Sequence, residues 1–595
     1  MKSGIMLLLV LVSSAALLSA LPAHGQQPRE RNRPNIVFII SDDHRWDALG
    51  AAGNAKIKTP VLDGLAREGV YFRQATIHVS QCAPSRATLL TGLSPHQNGY
   101  YSNNFLRSDM EWADRFKVPT MPGLLQQAGY QTVLVGKWHL ATDPWLTGFS
   151  DVRTWLPEGG ADYVDSRLAK GNSRKKEKTK GFTNGIFADD AVEFLSSPTA
   201  KEKPFLLWMA TTVPHSPYQP NPSHIEHIYE GETTADLLPP GFPQDTPADM
   251  SLHGLSGNPL GDTGDAAKLV NYYESVSYLD ELVGRVLTTL EKQGLAENTI
   301  VVFMGDNGLM IGSRGLRGKV VPYEESVRVP LIIRAPKFAT VKGRSDVPAS
   351  SLDIPTTILA LAGVSHPKDW GGRDLRLILN GSKKHSIDYA ISEWADTESQ
   401  FRHYTHRLIR TPRYKLVRWK DSEKPDELYD LAADPHETMN VADKPALRSV
   451  RNQLLRRLNA WMAQTNDSAR YWSKKSATTA NRAEQDIIES EKRASVEDKN
   501  PVKVDSQIYD AYAGRYEFVT RGIITISKEE EQLFLQDFGG KSALIPKSET
   551  EFVHQTMPMR FTFVRSEKGQ VTHLVRRISR SGEERTFDMK ARKIE

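Results

Sequence analysis

Cys82-Ala83-Pro84-Ser85-Arg86-Ala87-Thr88-Leu89-Leu90-Thr91-Gly92 contains the only cysteine in 595 residues. The stretch predicts the start of a helix. Pro84 suits the first turn, where its missing N–H costs nothing, and Ala87 to Leu90 continue the helix until Thr91-Gly92 stops it. Cys82 then lies at a helix N-terminus, where free N–H groups and the helix dipole favour an anion. Arg86, about one turn on, adds a permanent charge and a planar fork of donors. On these residues alone two readings of the cysteine stay open. It is a packing thiol at a buried helix start, or it is a reactive group, which an unpaired cysteine in an exported protein suggests.

The N-terminus points to export. Lys2, an apolar run from Ile5 to Leu21 and small residues at Ala23 and Gly25 form the pattern of a signal peptide over residues 1–25. The run is short for a membrane span and interrupted by serines. The expected product is periplasmic or secreted, with no membrane span after signal cleavage. At 39% hydrophobic and 25% charged residues the chain reads as globular, with room for several domains. A net charge of +4 argues against nucleic acid as a partner. The basic run Ser173 to Lys180 reads as a solvated loop, with attraction of a polyanion as the other reading.

Outward from the cysteine, apolar runs repeatedly end in polar residues. Ile36 to Ile40 delivers Asp42-Asp43-His44, and Thr132 to Val135 delivers Lys137-Trp138-His139. Pro204 to Ala210 leads to Pro214-His215, and Thr299 to Met304 delivers Asp306-Asn307. Amphipathic stretches lie between them, at Pro60 to Gly69, Met121 to Ala128, Asp189 to Leu195 and Leu269 to Lys292. Continuous apolar strands alternating with helices predict an α/β sheet covered on both faces. In such sheets ligands gather beyond the carboxyl ends of the strands, so the polar clusters should converge on one site. Asp42, Asp43, Asp306 and Asn307 offer only oxygen donors, which suits a hard divalent cation such as Ca²⁺, with Mg²⁺ as the other option, rather than zinc.

Longer strings carry a resemblance. Cys82 to Gly92 fits the pattern C-x-P-S-R-x-x-x-L-T-G at every fixed position, and Gly129 to His139 fits G-Y-x-T-x-x-x-G-K-W-H throughout. Gly315-Leu316-Arg317-Gly318-Lys319 followed by Tyr323-Glu324-Glu325-Ser326-Val327-Arg328-Val329-Pro330 fits a third. Together they resemble the formylglycine-dependent (type I) sulfatases of the alkaline phosphatase superfamily, over about residues 33 to 467. The resemblance implies that a maturation enzyme oxidises Cys82 to formylglycine, whose hydrated aldehyde offers a hydroxyl as nucleophile. It implies that Asp42, Asp43, Asp306 and Asn307, with the modified Cys82, hold one divalent cation, usually Ca²⁺. Lys137, His215 and Lys319 would contact sulfate, His139 would take the proton of the nucleophile, and His215 would protonate the leaving group. Arg86 joins the same catalytic set. Arg314 stands where many carbohydrate sulfatases have histidine, and is a candidate sugar contact.

Toward the C-terminus the chemistry thins out. Arg407 to Arg410, Tyr414 to Trp419 and Glu427 to Leu431 predict a small antiparallel sheet, followed by a helix over Ala446 to Met462. That gives a C-terminal subdomain over about 380–467. Residues 468–506 are polar and read as a linker. From 507 to 595, short alternating runs at Ile523 to Ile526, Leu533 to Gln536, Leu544 to Pro546, Phe561 to Val564 and Val571 to Val575 predict a small β-barrel or sandwich. Its opening Tyr512-Ala513-Gly514-Arg515-Tyr516 resembles the β-rich accessory domain of some bacterial hydrolases related to β-lactamases. The expected fold is therefore α/β: an alkaline-phosphatase-like sulfatase core, a small antiparallel C-terminal subdomain and a β-barrel-like domain. The leading function is sulfate-ester hydrolysis, on a sulfated carbohydrate or another sulfate ester. The alternatives are a phosphodiesterase or phosphonate hydrolase of the same superfamily, and a non-catalytic binder of sulfated glycans.

Overall fold

The computed structural model describes residues 33–103, 118–232, 237, 264–394 except 312, 314, 315 and 317, then 405–420, 425–467, 502, 504–518, 522–537, 540–554, 559–566, 570–578 and 587–594. The signal-peptide reading over 1–25, most of the linker over 468–506, and Arg314 lie outside the described residues.

Strand β1 (Asn35–Ser41) is buried along its whole length. Its side chains alternate: Ile36, Phe38 and Ile40 enter one core, and Val37 and Ile39 enter the other. This period of two places the strand inside a sheet covered on both faces. The other strands are β2 (Val70–Phe72), β3 (Gln131–Lys137), β4 (Asp151–Leu156), β5 (Arg167–Lys170), β6 (Lys176–Lys178), β7 (Phe205–Ala210), β8 (Thr299–Gly305), β9 (Leu331–Arg334) and β10 (Gly343–Ser345). They form a sheet of ten strands in the order β10-β2-β9-β8-β1-β7-β3-β4-β5-β6. The run β8-β1-β7-β3-β4 is parallel, and antiparallel strands flank it.

The longer helices are α1 (Pro60–Glu68), α2 (Cys82–Thr91), α3 (Met121–Gln127), α4 (Thr183–Ser196), α5 (Gly264–Lys292), α6 (Asp353–Leu361) and α7 (Arg448–Gln464). One face of the sheet is covered by α1, α4 and α5, through Leu62, Phe187, Phe194, Leu279 and Val286. The other is covered by α2, α3 and α6, through Ala87, Leu90, Leu125 and Ile358. Helix α4 begins six residues before the apolar pattern suggested, because Thr183 and Asn184 are buried there although they are polar. Asn184 exchanges hydrogen bonds with Thr212, which satisfies both side chains inside the core.

Strands β11 (Ala390–Trp394), β12 (His406–Arg410), β13 (Tyr414–Trp419) and β14 (Glu427–Asp430) form a separate antiparallel sheet with α7 packed on it. Two buried ionic clusters tie this sheet to the core. Arg410 and Lys415 pair with Glu324 at 3.1 and 3.3 Å, beside the loop that carries Lys319. Arg407 makes two bonds to Asp467, at 2.7 and 2.9 Å, and approaches Glu393, which accepts from His96 at 2.7 Å.

Burial acts to raise the Glu393 carboxyl, but Arg407 and His96 outweigh it and hold the group well below the usual range. A carboxylate depressed by folding stabilises fully above its unfolded pKa of about 4.3, and that contribution is lost as the pH falls further. Glu393→Gln should therefore cost about 3–5 kcal/mol near neutrality by denaturant unfolding, with a smaller cost toward pH 3. A cost that stays constant across that range would show that the charge of Glu393 is not its source.

Strands β15 (Gly514–Phe518), β16 (Gly522–Glu529), β17 (Gln532–Asp537), β18 (Gly540–Pro546), β19 (Glu551–His554), β20 (Met559–Arg565), β21 (Val571–Ile578) and β22 (Phe587–Lys593) close into a barrel. Tyr512, Tyr516, Leu533, Leu544, Phe552, Phe561, Phe563 and Leu574 fill its interior, with Tyr512 stacked on Phe563 at 4.1 Å. Eight strands leave a bore just wide enough for such a filling. Sequence periodicity indicated five of the eight strands. Strands β15 and β19 are short, and β22 carries charge at Asp588, Lys590, Arg592 and Lys593, so their apolar signal is weak.

Candidate active site

Each polar cluster lies at a carboxyl end of the parallel strands: Asp42 and Asp43 after β1, Lys137 to His139 at β3, His215 after β7, and Asp306 and Asn307 after β8. Cys82 opens α2, all ten residues of which are buried. One carboxylate oxygen from each of Asp42, Asp43 and Asp306 lies with Cys82 Sγ in a group spanning no more than 4.8 Å.

Local backbone geometry builds this convergence. Gly136 has φ +93, and a Cβ there would run into the Ala210 carbonyl of β7, which explains the glycine before Lys137. Asp43 and His139 both have left-handed φ, 61 and 58, a conformation that costs a non-glycine residue energy and persists where the surroundings over-determine it. For Asp43 the surroundings are visible. Buried Tyr272 on α5 donates its hydroxyl to the Asp43 carbonyl at 2.8 Å and accepts from the Arg45 N–H at 2.9 Å. A tyrosine 229 positions away closes the turn.

The start of α2 differs from the sequence expectation. Its Ala83 N–H, predicted to be free for an anion, donates to Asn103 Oδ1 at 3.0 Å. Asn103 N in turn donates to Gln81 Oε1 at 2.7 Å. A side chain, rather than a ligand, therefore takes that donor. Arg86 is also taken up by partners within the protein. It donates to Asp306 Oδ2 at 2.9 Å and to the Lys137 carbonyl at 2.8 Å, which fixes a carboxylate and the β3 end at once.

The charges balance. Asp42, Asp43 and Asp306 are answered by Lys137 on Asp42, Lys319 on Asp43 and Arg86 on Asp306. Lys319 Nζ also donates to Cys82 Sγ at 2.8 Å. Burial acts to raise the Asp42 carboxyl, but Lys137, His215, Arg86 and Lys319 together hold it below the usual range. Asp306 is pushed up to about 6, first by burial and then by the charge of Asp42. Burial and Asp42 push the Cys82 thiol up to about 12, so the cysteine itself is a protonated and weak nucleophile at neutral pH. His139 is lowered, first by burial and then by Lys137 and Arg86, which leaves its imidazole neutral and able to accept a proton. His215 sits at the rim with its side chain 19% exposed and Nε2 3.8 Å from Asp43 Oδ2.

The donor set fits a hard cation. Asn307 uses its Nδ2 on Asp43 Oδ1 at 2.6 Å and on the Gly308 carbonyl at 2.8 Å. Its buried Oδ1 has no partner among the described residues. A buried acceptor without a donor costs free energy, and a cation held by Asp42, Asp43, Asp306 and Asn307 would satisfy it.

Comparison with known proteins adds a second line of evidence. A family model described as Sulfatase matches residues 34–364, one described as N-sulphoglucosamine sulphohydrolase, C-terminal, matches 312–464, and a domain of unknown function (DUF3471) matches 498–592. The chain is 30% identical over 519 residues to an N-acetylglucosamine-6-O-sulfatase of Bacteroides thetaiotaomicron, covering 76% of this chain and 90% of that one. It is also 30% identical over 465 residues to an ulvan-active sulfatase of Formosa agariphila, covering 76% and 86%. Among solved structures, BT4656 in complex with its substrate D-glucosamine-2-N,6-O-disulfate superposes with a TM-score of 0.61 at 28% identity, covering 73% of this chain and 99% of that one.

Proposed function

The chain belongs to the sulfatase family and is a sulfuric ester hydrolase, and from that premise we propose that it is an exported enzyme that desulfates glycans, with formylglycine derived from Cys82 as nucleophile and one Ca²⁺-like ion beside it. The observation that carries this reading is the buried convergence of Cys82, three carboxylates and two lysines on one spot. Such a set can hold a cation and a tetrahedral anion together. The glycan class is supported by the relatives, which are named for N-acetylglucosamine 6-O-sulfate and ulvan. Export is supported by the signal-like N-terminus, and no described helix is long and apolar enough to cross a membrane.

In this reading Asp42, Asp43, Asp306 and Asn307 would hold the cation. A cation bound there would polarise a sulfate oxygen and favour the ionised nucleophile. Lys137 and Lys319 bring their side-chain amines to the other sulfate oxygens. Neutral His139 takes the proton of the nucleophilic hydroxyl, and His215 at the rim gives one to the leaving sugar oxygen. Burial of Cys82, which is 1% exposed, keeps bulk water from the reacting centre. None of the residues given a role in this reading belongs to the barrel strands.

Rates on matched aryl sulfate and aryl phosphate test the reaction class, and sulfate should be hydrolysed at least about 10²-fold faster. Preference for the phosphate would favour the phosphodiesterase alternative. A chain ending after Asp467 should keep small-substrate activity within about threefold, since the barrel closes over its own core. The cut must spare Asp467, because the buried Arg407 depends on it. Loss of aryl sulfate turnover in a folded truncation would place the barrel in the active site.

A further inference from the structure

The segment 157–163, between β4 and β5, touches both histidines of the site. A Cβ placed on Gly159 would lie 2.5 Å from His139 Nε2 and 3.0 Å from Nδ1, and nearer still to Cε1. The glycine therefore lies directly against the imidazole, at a distance no side chain could occupy. Its backbone does not require glycine, because Gly159 is absent from the positive-φ residues. Only the ring of His139 demands the missing side chain. Next to it, a Cβ on Gly160 would meet His215 Cε1 at an ordinary 3.5 Å. At the end of the segment, buried Tyr163 donates its hydroxyl to the His215 carbonyl at 2.6 Å.

The segment is also anchored at its start. Glu158 pairs with Lys176 of β6 at 2.7 Å, with both side chains less than a fifth exposed. An ion pair screened to that extent holds position better than one in open water. His139 needs such support, since its own backbone is in the left-handed region at φ 58.

We infer that Gly159 is a positioning residue: it lies against the His139 imidazole and fixes the ring for proton transfer, while the Glu158–Lys176 pair holds the glycine in place. The inference rests on the reading of His139 as the group that takes the nucleophile's proton. A displacement of about 1 Å in such a group costs about 10²-fold in rate.

The test uses the full chain and an aryl sulfate. Gly159→Ala should lower kcat by about 10²-fold, leave KM within about twofold and keep the thermal midpoint near that of the wild type. Gly160→Ala should lower kcat by less than about threefold, because its new contact is an ordinary one. Glu158→Gln, which adds no bulk, should give a smaller loss confined to kcat, and the swap Glu158→Lys with Lys176→Glu should restore it. His139→Ala checks the underlying reading separately. If that variant keeps wild-type kcat, the role of His139 is wrong and the inference falls with it. If His139→Ala is inactive while Gly159→Ala keeps wild-type kcat, or loses only substrate affinity, Gly159 does not position the ring.

Discussion

Cys82→Ala is expected to lower kcat on an aryl sulfate by at least about 10⁴-fold, the scale on which enzymes lose rate with their nucleophile. The fold should survive. The replaced atom touches Asp42 Oδ1 at 3.3 Å and Lys319 Nζ at 2.8 Å, and both retain other partners. The loss should stay within about 1 kcal/mol of a small buried truncation. The same position gives a second measurement. Peptide mass spectrometry of active protein from a host with a maturation system should show an aldehyde at residue 82. Active enzyme carrying only the thiol would end the formylglycine reading, although the protonated state of the buried thiol disfavours direct attack by sulfur.

The second large effect concerns the cation. Asp306→Asn should lower bound metal and activity together, with kcat down by at least about 10²-fold. Asn is preferable to Ala here, because its amide oxygen still accepts from the buried Arg86 guanidinium, while either change removes the paired charge at a cost of about 3–5 kcal/mol. Removing the metal from the unaltered chain should abolish turnover while leaving it folded, because three cationic side chains already answer the three carboxylates. Restoring Ca²⁺ at about 100 times its Kd should raise stability by about 2.7 kcal/mol. Full activity in metal-depleted protein would exclude the cation from the mechanism.

Most of this candidate site was legible in the sequence, because its polar residues cluster where strands end. Asp42, Lys137, His215 and Asp306 each follow an apolar run, and a parallel sheet brings such ends together whatever their separation along the chain. What supports them was not legible. Tyr272 lies inside a long amphipathic helix and reads as one more core aromatic until its bond to the Asp43 carbonyl is seen. Asn103 and Gly159 sit in loops, where no periodicity marks them. The Gly159-Gly160 pair did offer a signal, since two glycines just after a strand mark a turn or a close approach, and only the approach to His139 separates the two. Arg86 shows the opposite case. Its place beside Cys82 could be read from the string around it, but its partners could not: it donates to Asp306 and to the Lys137 carbonyl.

The borders of the large sheet carry a consequence for behaviour in concentrated solution. Each ends in a strand of three residues: Lys176-Glu177-Lys178 on one side, and Gly343-Arg344-Ser345 on the other. A sheet of ten strands with a long apolar border would offer a row of unpaired N–H and C=O groups onto which another molecule could add a strand. Borders this short, with charged side chains at Lys176, Glu177, Lys178 and Arg344, give an incoming strand few bonds and require it to desolvate charge. The barrel closes on itself and presents no border at all. The large sheet and the barrel should therefore resist strand-by-strand aggregation, and replacing Lys176 and Lys178 by valine is the change that would expose the large sheet.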